Sequence, residues 1–105
     1  MKVIYTFILC LVILIIAAIG FVQYKFITTE NEVMEYLTVN EKLQEESIKT
    51  KPFIANLPGD KNWMVSVMIK EDNKKYYYYV NNEGKIVLES TVENGTENVF
   101  NKIMN

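Results

Sequence analysis

The run from Val3 to Val22 constrains this chain more than any other feature. Its residues (VIYTFILCLVILIIAAIGFV) carry no charge, and only Tyr5 and Thr6 are distinctly polar. As an α-helix, about 20 residues rising roughly 1.5 Å each extend about 30 Å, the thickness of a bilayer's hydrocarbon core. Lys2 precedes the run, and Gln23-Tyr24-Lys25 closes it. The expected organisation is a transmembrane anchor over 1–25, an extracytoplasmic α+β domain over 26–93 and a C-terminal tail over 94–105.

Three readings of the run compete: an uncleaved anchor, a cleaved signal peptide and a lipoprotein signal. The anchor is favoured because the run exceeds the ~7–15 apolar residues of a signal sequence. Tyr5 and Tyr24 stand at its two ends, where amphipathic rings prefer the headgroup level, and Lys25 can snorkel outward from the same boundary. These three are the expected membrane-interface residues. Cleavage after Gly20 stays open, since Ala18-Ile19-Gly20 spaces small residues at the right interval. Against the lipoprotein signal, Leu9 is too large for the position before a lipidated Cys10, which reads instead as a small apolar residue facing lipid. Lys2 and the amino terminus lie on one side; Lys25 is soon followed by Glu30, Glu32 and Glu35 on the other. That bias predicts a single-pass protein of the cell membrane, N-terminus cytoplasmic and domain outside.

After the anchor, about 80 residues must form a core without any cysteine, which is near the lower limit for one self-sufficient domain. From Phe26 onward nine lysines face thirteen carboxylates. An acidic surface argues against nucleic acid as a partner, and no polybasic lipid-binding stretch is present. The chain has no His and no Arg. The usual zinc sites and Ser-His-Asp or Cys-His arrangements therefore cannot be built, and no cofactor is implied. Abundant Lys, Asn and Ile without Arg resemble the usage of an AT-rich bacterial genome.

Within the domain, Thr29 to about Glu46 reads as a helix. Thr29 can cap it, Glu30, Glu32 and Glu35 complement its positive end, and Val33, Tyr36, Leu37 and Leu43 share a face. Thr38-Val39-Asn40 weakens its middle. No Gly or Pro separates it from the anchor, so the two can run together. Three turn signals follow: Leu57-Pro58-Gly59-Asp60 as a type II turn, Glu71-Asp72-Asn73-Lys74 as a polar loop, and Asn81-Asn82-Glu83-Gly84 as a type I turn ending in a left-handed glycine. Between them Trp63, Val65, Val67 and Ile69 alternate, Tyr76, Tyr78 and Val80 oppose Tyr77 and Tyr79, and Ile86, Leu88 and Ser90 alternate with Val87 and Glu89. Pro52 marks Ile48–Asn56 as an edge strand or irregular segment. The prediction is one transmembrane helix, then a helix packed on a four-stranded antiparallel meander, with Tyr76 and Tyr78 beneath the helix. The tail, with Val99, Phe100, Ile103 and Met104, is expected to form a short helix; Asn94-Gly95-Thr96 also matches a glycosylation acceptor.

A single N-terminal span, the Tyr36-Leu37 pair, Ile48-Lys49, the Val65/Val67 strand ending at Glu71-Asp72-Asn73, the Tyr76–Tyr79 strand and Gly84-Lys85-Ile86 resemble a small membrane-anchored family of Gram-positive bacteria known as domain of unknown function three-one-three-nine. The resemblance covers most of Met1 to Glu89. The family's usual Gly-Tyr after the first helix and its Pro in the acidic turn are missing. The resemblance implies a cell-surface protein without assigned activity, and it transfers no catalytic residue.

Two functional features are weighed against plain structural roles. Tyr77 and Tyr79, with Met64, Met68 or Trp63, can form an aromatic binding patch on the outer sheet face, or merely serve as strand formers. Asp60, Glu71, Asp72 and Glu83 fall in turns without the D-x-D-x-D-G spacing of a calcium loop. Ser66 and Lys70 share a strand face but lie about 13 Å apart, too far for a catalytic dyad. The expected function is therefore a binding or structural module of the bacterial cell envelope, touching the bilayer through Val3 to Val22 and an envelope protein or wall polymer through its domain. The alternatives are an immunity or inhibitor protein against a membrane-active toxin or surface protease, and a small hydrolase.

Overall fold

The computed structural model describes all 105 residues, Met1–Asn105. The chain folds as one long apolar helix and a five-stranded antiparallel sheet, an α+β arrangement. Helix α1 runs without interruption from Lys2 to Glu35. Its 34 residues, at 1.5 Å each, measure about 51 Å. Every residue from Met1 to Phe21 is exposed. The helix is long and apolar enough to cross a membrane.

The expected second helix has no start of its own. Thr29 lies buried inside α1 instead of capping a new element. Its C-terminal boundary also differs: a π-helical turn over Tyr36–Asn40 ends the helix, not Glu46. The reason lies in Thr38-Val39-Asn40, poor helix formers that sit where the turn widens. The Thr38 hydroxyl donates back to the Met34 carbonyl at 2.9 Å. The Leu43 N–H reaches the Leu37 carbonyl at 3.0 Å, and Lys42 adopts a left-handed φ of 56°. A short 3₁₀ turn over Glu45–Ser47 then leads into the sheet.

The strands are β1 (Ile48–Ile54), β2 (Trp63–Ile69), β3 (Lys75–Val80), β4 (Ile86–Glu93) and β5 (Thr96–Ile103), each paired with the next. Pro52 lies in β1, an edge strand as expected. Gly59 and Gly84 take φ of 69° and 75°, the left-handed values their turns require. The expected four strands are five, because the tail is a strand and not a helix. Asn94 and Gly95, both at positive φ, make a two-residue hairpin between Glu93 and Thr96. Two consecutive positive φ values suit the twist of paired strands, and Asn-Gly supplies them at least cost.

Period-2 alternation gives the sheet two unlike faces. On one, Val65, Val67, Tyr78, Ile86 and Ile48 form a core cluster with Val33, Tyr36 and Leu37 of the helical segment. Leu37, Val33, Val65 and Val67 are its fully buried side chains. Burying each is worth roughly 1.5–3 kcal/mol relative to exposure. Tyr78 packs at 6.1 Å from the Tyr36 ring and 6.3 Å from Tyr76. On the other face Met64, Tyr79 and Val87 make a second, smaller cluster, flanked by Phe53, Ala55 and Tyr77.

Candidate functional site

The outer face is ordered by strand register into three rows. Lys49, Met68, Lys75, Val92 and Glu97 form the first; Lys51, Ser66, Tyr77, Ser90 and Val99 the second; Phe53, Met64, Tyr79, Val87 and Ile103 the third. The third row closes over itself. Tyr79 keeps 8% of its surface and Met64 4%. Of the four residues expected to form an open patch, these two are thus core residues of the smaller cluster. A sheet of five strands is wide enough for central side chains to be covered by their neighbours on an otherwise uncovered face. Tyr77 is half-buried, and Met68 is exposed. Of the four, only Tyr77 and Met68 therefore remain accessible on this face.

There Tyr77 stands between two different neighbours. The Phe53 ring meets it edge-on at 5.8 Å, and Lys75 Nζ lies 6.0 Å from its centroid. A shallow groove runs along Lys51, Phe53, Ser66, Lys75 and Tyr77. The Ser66 hydroxyl donates to the Lys51 carbonyl at 3.3 Å, tying it to the neighbouring strand. Lys49 and Lys51, both exposed, extend the positive charge along the sheet edge. Three lysines thus gather on one side of an acidic domain. The sequence held the signal, since Lys49, Lys51 and Phe53 alternate with Ile48, Thr50 and Pro52, and the same pleat puts Lys75 beside Tyr77.

The tyrosines beneath and beside the groove are held neutral. Burial, followed by the charges of Asp60 and Glu89, raises the Tyr79 hydroxyl above its ordinary value. Burial, the hydrogen bond to Asp72 and that carboxylate's charge push Tyr76 up to about 12. Asp72 itself is lowered, first by the Lys74 N–H and then by the Tyr76 hydroxyl at 2.8 Å. Of the four turn carboxylates, Asp72 holds its own turn, accepting from the Lys74 N–H at 2.8 Å. Nowhere do three or more Cys, Asp or Glu side chains gather as a metal site.

The three expected membrane-interface residues lie on α1, with Tyr5 and Tyr24 exposed. Lys25 is half-buried, its Nζ 6.0 Å from the Phe21 ring. Beside it a polar cleft opens between the helix and the end of the sheet, lined by Lys25, Thr28, Glu32, Asp60, Trp63 and Asn81 among others. Sequence reasoning did not place Trp63 there. Compared with family models, curated proteins and solved structures, the chain matches none.

Proposed function

We propose that this is a single-pass protein of the bacterial cell membrane, N-terminus inside, whose domain outside the membrane is a binding module without chemistry of its own. Its partner is an anionic wall polymer, held on the outer sheet face. The observation that carries this reading is the placement of Lys49, Lys51 and Lys75 around Tyr77 and Met68, on the face opposite α1. The domain's net negative charge opposes a polyanion at long range, but within a Debye length the three lysines on this face attract it, and an aromatic pair adds contact area at low entropic cost. The proposal includes α1 staying packed on the inner face in the membrane-bound protein, so that span and core act as one unit. It also includes membership of the domain-of-unknown-function family that the motifs resemble.

The test is binding of full-length protein in lipid nanodiscs to purified anionic wall polymer. The double substitution Lys51→Glu with Lys75→Glu should weaken binding roughly tenfold or more at low salt, an effect that salt itself should diminish. Equal binding by both proteins would overturn the reading. Crosslinking in intact cells from position 77 to a protein, with none to polymer, would replace the polymer by an envelope protein.

A further inference from the structure

We infer that the end of the sheet nearest the apolar run rests on the bilayer, with Trp63 and the β1–β2 loop in the headgroup layer. This inference rests on the membrane-spanning reading of Val3 to Val22. The geometry begins with Trp63, the first residue of β2. Its ring meets Phe21 edge-on at 5.9 Å and Phe26 at 6.0 Å. Phe21 belongs to the last turn of the uncharged run. If that run fills the hydrocarbon core, Trp63 is level with the boundary between acyl chains and headgroups. Tryptophan favours that layer, since its ring is apolar and its indole N–H seeks a polar partner.

The strand directions place more of the chain at the same level. β1 ends at Ile54, paired with Trp63, so the loop between them projects beyond the end of the sheet that touches Phe21. The Ala55 N–H donates to the Asn62 carbonyl at 2.9 Å and closes the loop at its base. Pro58 at φ −70° and Gly59 at φ 69° shape its tip. A preformed loop loses little entropy on docking. It presents Leu57 to solvent, and Ile54 is likewise exposed at its base. In water these side chains gain nothing from their exposure; against acyl chains they would be covered.

The polar groups at this level suit headgroups as well. Lys25 lines the same cleft as Trp63 and can reach lipid phosphates, and Lys61 belongs to the loop itself. That cleft also holds Glu32 and Asp60, so a zwitterionic headgroup fits it, phosphate toward Lys25 and quaternary ammonium toward the carboxylates. The domain is therefore held at two places, by the covalent helix and by the seated loop. Such seating fixes its tilt and keeps the lysine-bearing outer face upright above the membrane.

Trp63 is the only tryptophan, so it reports without substitution. Full-length protein is reconstituted into phosphatidylcholine vesicles and recovered by flotation. Vesicles with lipid brominated high on the acyl chain should quench most of the emission. Lipid brominated near the chain end should quench less, and acrylamide little. Flotation with emission open to acrylamide and untouched by brominated lipid would overturn the seating while leaving the span intact. Failure to float would overturn both. A second reporter, Leu57→Trp in a Trp63→Phe background, should show the same preference for shallow bromine; quenching by acrylamide alone would overturn the placement of the loop.

Discussion

At the residue scale, the tyrosine strand separates packing from recognition. Tyr78 lies in the main core against Val33, Tyr36 and Leu37. Truncating a buried aromatic costs about 3–5 kcal/mol, so Tyr78→Ala should unfold the domain. Tyr79→Ala should cost roughly 3 kcal/mol, since Tyr79 is buried in the smaller cluster. Tyr77→Ala should leave a folded protein with weaker polymer binding. Urea unfolding in detergent micelles checks all three, and an unfolded Tyr77→Ala would remove the distinction. The alternation itself was legible from Tyr76-Tyr77-Tyr78-Tyr79. What could not be read was that Met64, Tyr79 and Val87 come from three strands to cover one another, because that depends on register and sheet width. Alkaline titration gives a second check. Burial raises Tyr78, and burial with Asp72 raises Tyr76 to about 12, against 10 for a free tyrosine. A folded value above the unfolded one gives stability that is full below pH ~10 and is lost as pH climbs toward ~12. Phenolate absorbance from these two should therefore appear together with the loss of strand circular dichroism. Complete titration near pH 10 in a folded sheet would contradict their burial.

At the element scale, turns decide what the sheet contains. Gly84 and Gly95 both take left-handed φ, and a Cβ added at either meets no atom within 4 Å. Valine there is disfavoured by backbone strain alone, about 1–2 kcal/mol. The consequences should differ. Gly84 joins β3 to β4, which carry Tyr78 and Ile86 of the core, so Gly84→Val should lower the melting temperature of the whole domain. Gly95 leads into β5, all eight of whose residues are exposed. Gly95→Val should therefore loosen that strand locally, with roughly tenfold faster amide exchange in β5 and unchanged protection in β2 and β3. Equal loss of protection across the sheet would show β5 to be integral to the core. This strand was the element hardest to anticipate. Val99, Phe100, Ile103 and Met104 fall at helical spacing, and with neither face buried no alternation betrays a strand. The informative residues were Asn94-Gly95, a hairpin signal that also matches a glycosylation acceptor. Asn101, at φ 48° within β5, marks a bulge where two residues oppose one on β4.

At the scale of the whole molecule, one helix carries both a run apolar enough to cross a membrane and, near its C-terminal end, the buried Val33 of the core cluster. The sequence allowed this, since no Gly or Pro falls between Lys25 and Val33, and the helix indeed continues to Glu35. A domain of this size without disulfides gains from such a helix, because its end is already ordered by the apolar run before the sheet packs on it. The proposed orientation and seating follow from the same continuity: where the helix enters the bilayer also sets where Trp63 and the outer lysines stand. The most direct test is protease treatment of intact cells, followed by intact-mass measurement of the membrane fraction. The chain should be found uncleaved in the membrane, with Val3 to Val22 still joined to the domain. External protease should trim it to a protected N-terminal fragment that retains Val3 to Val22. A mature protein beginning at Phe21, or a domain shielded until the cells are opened, would contradict it.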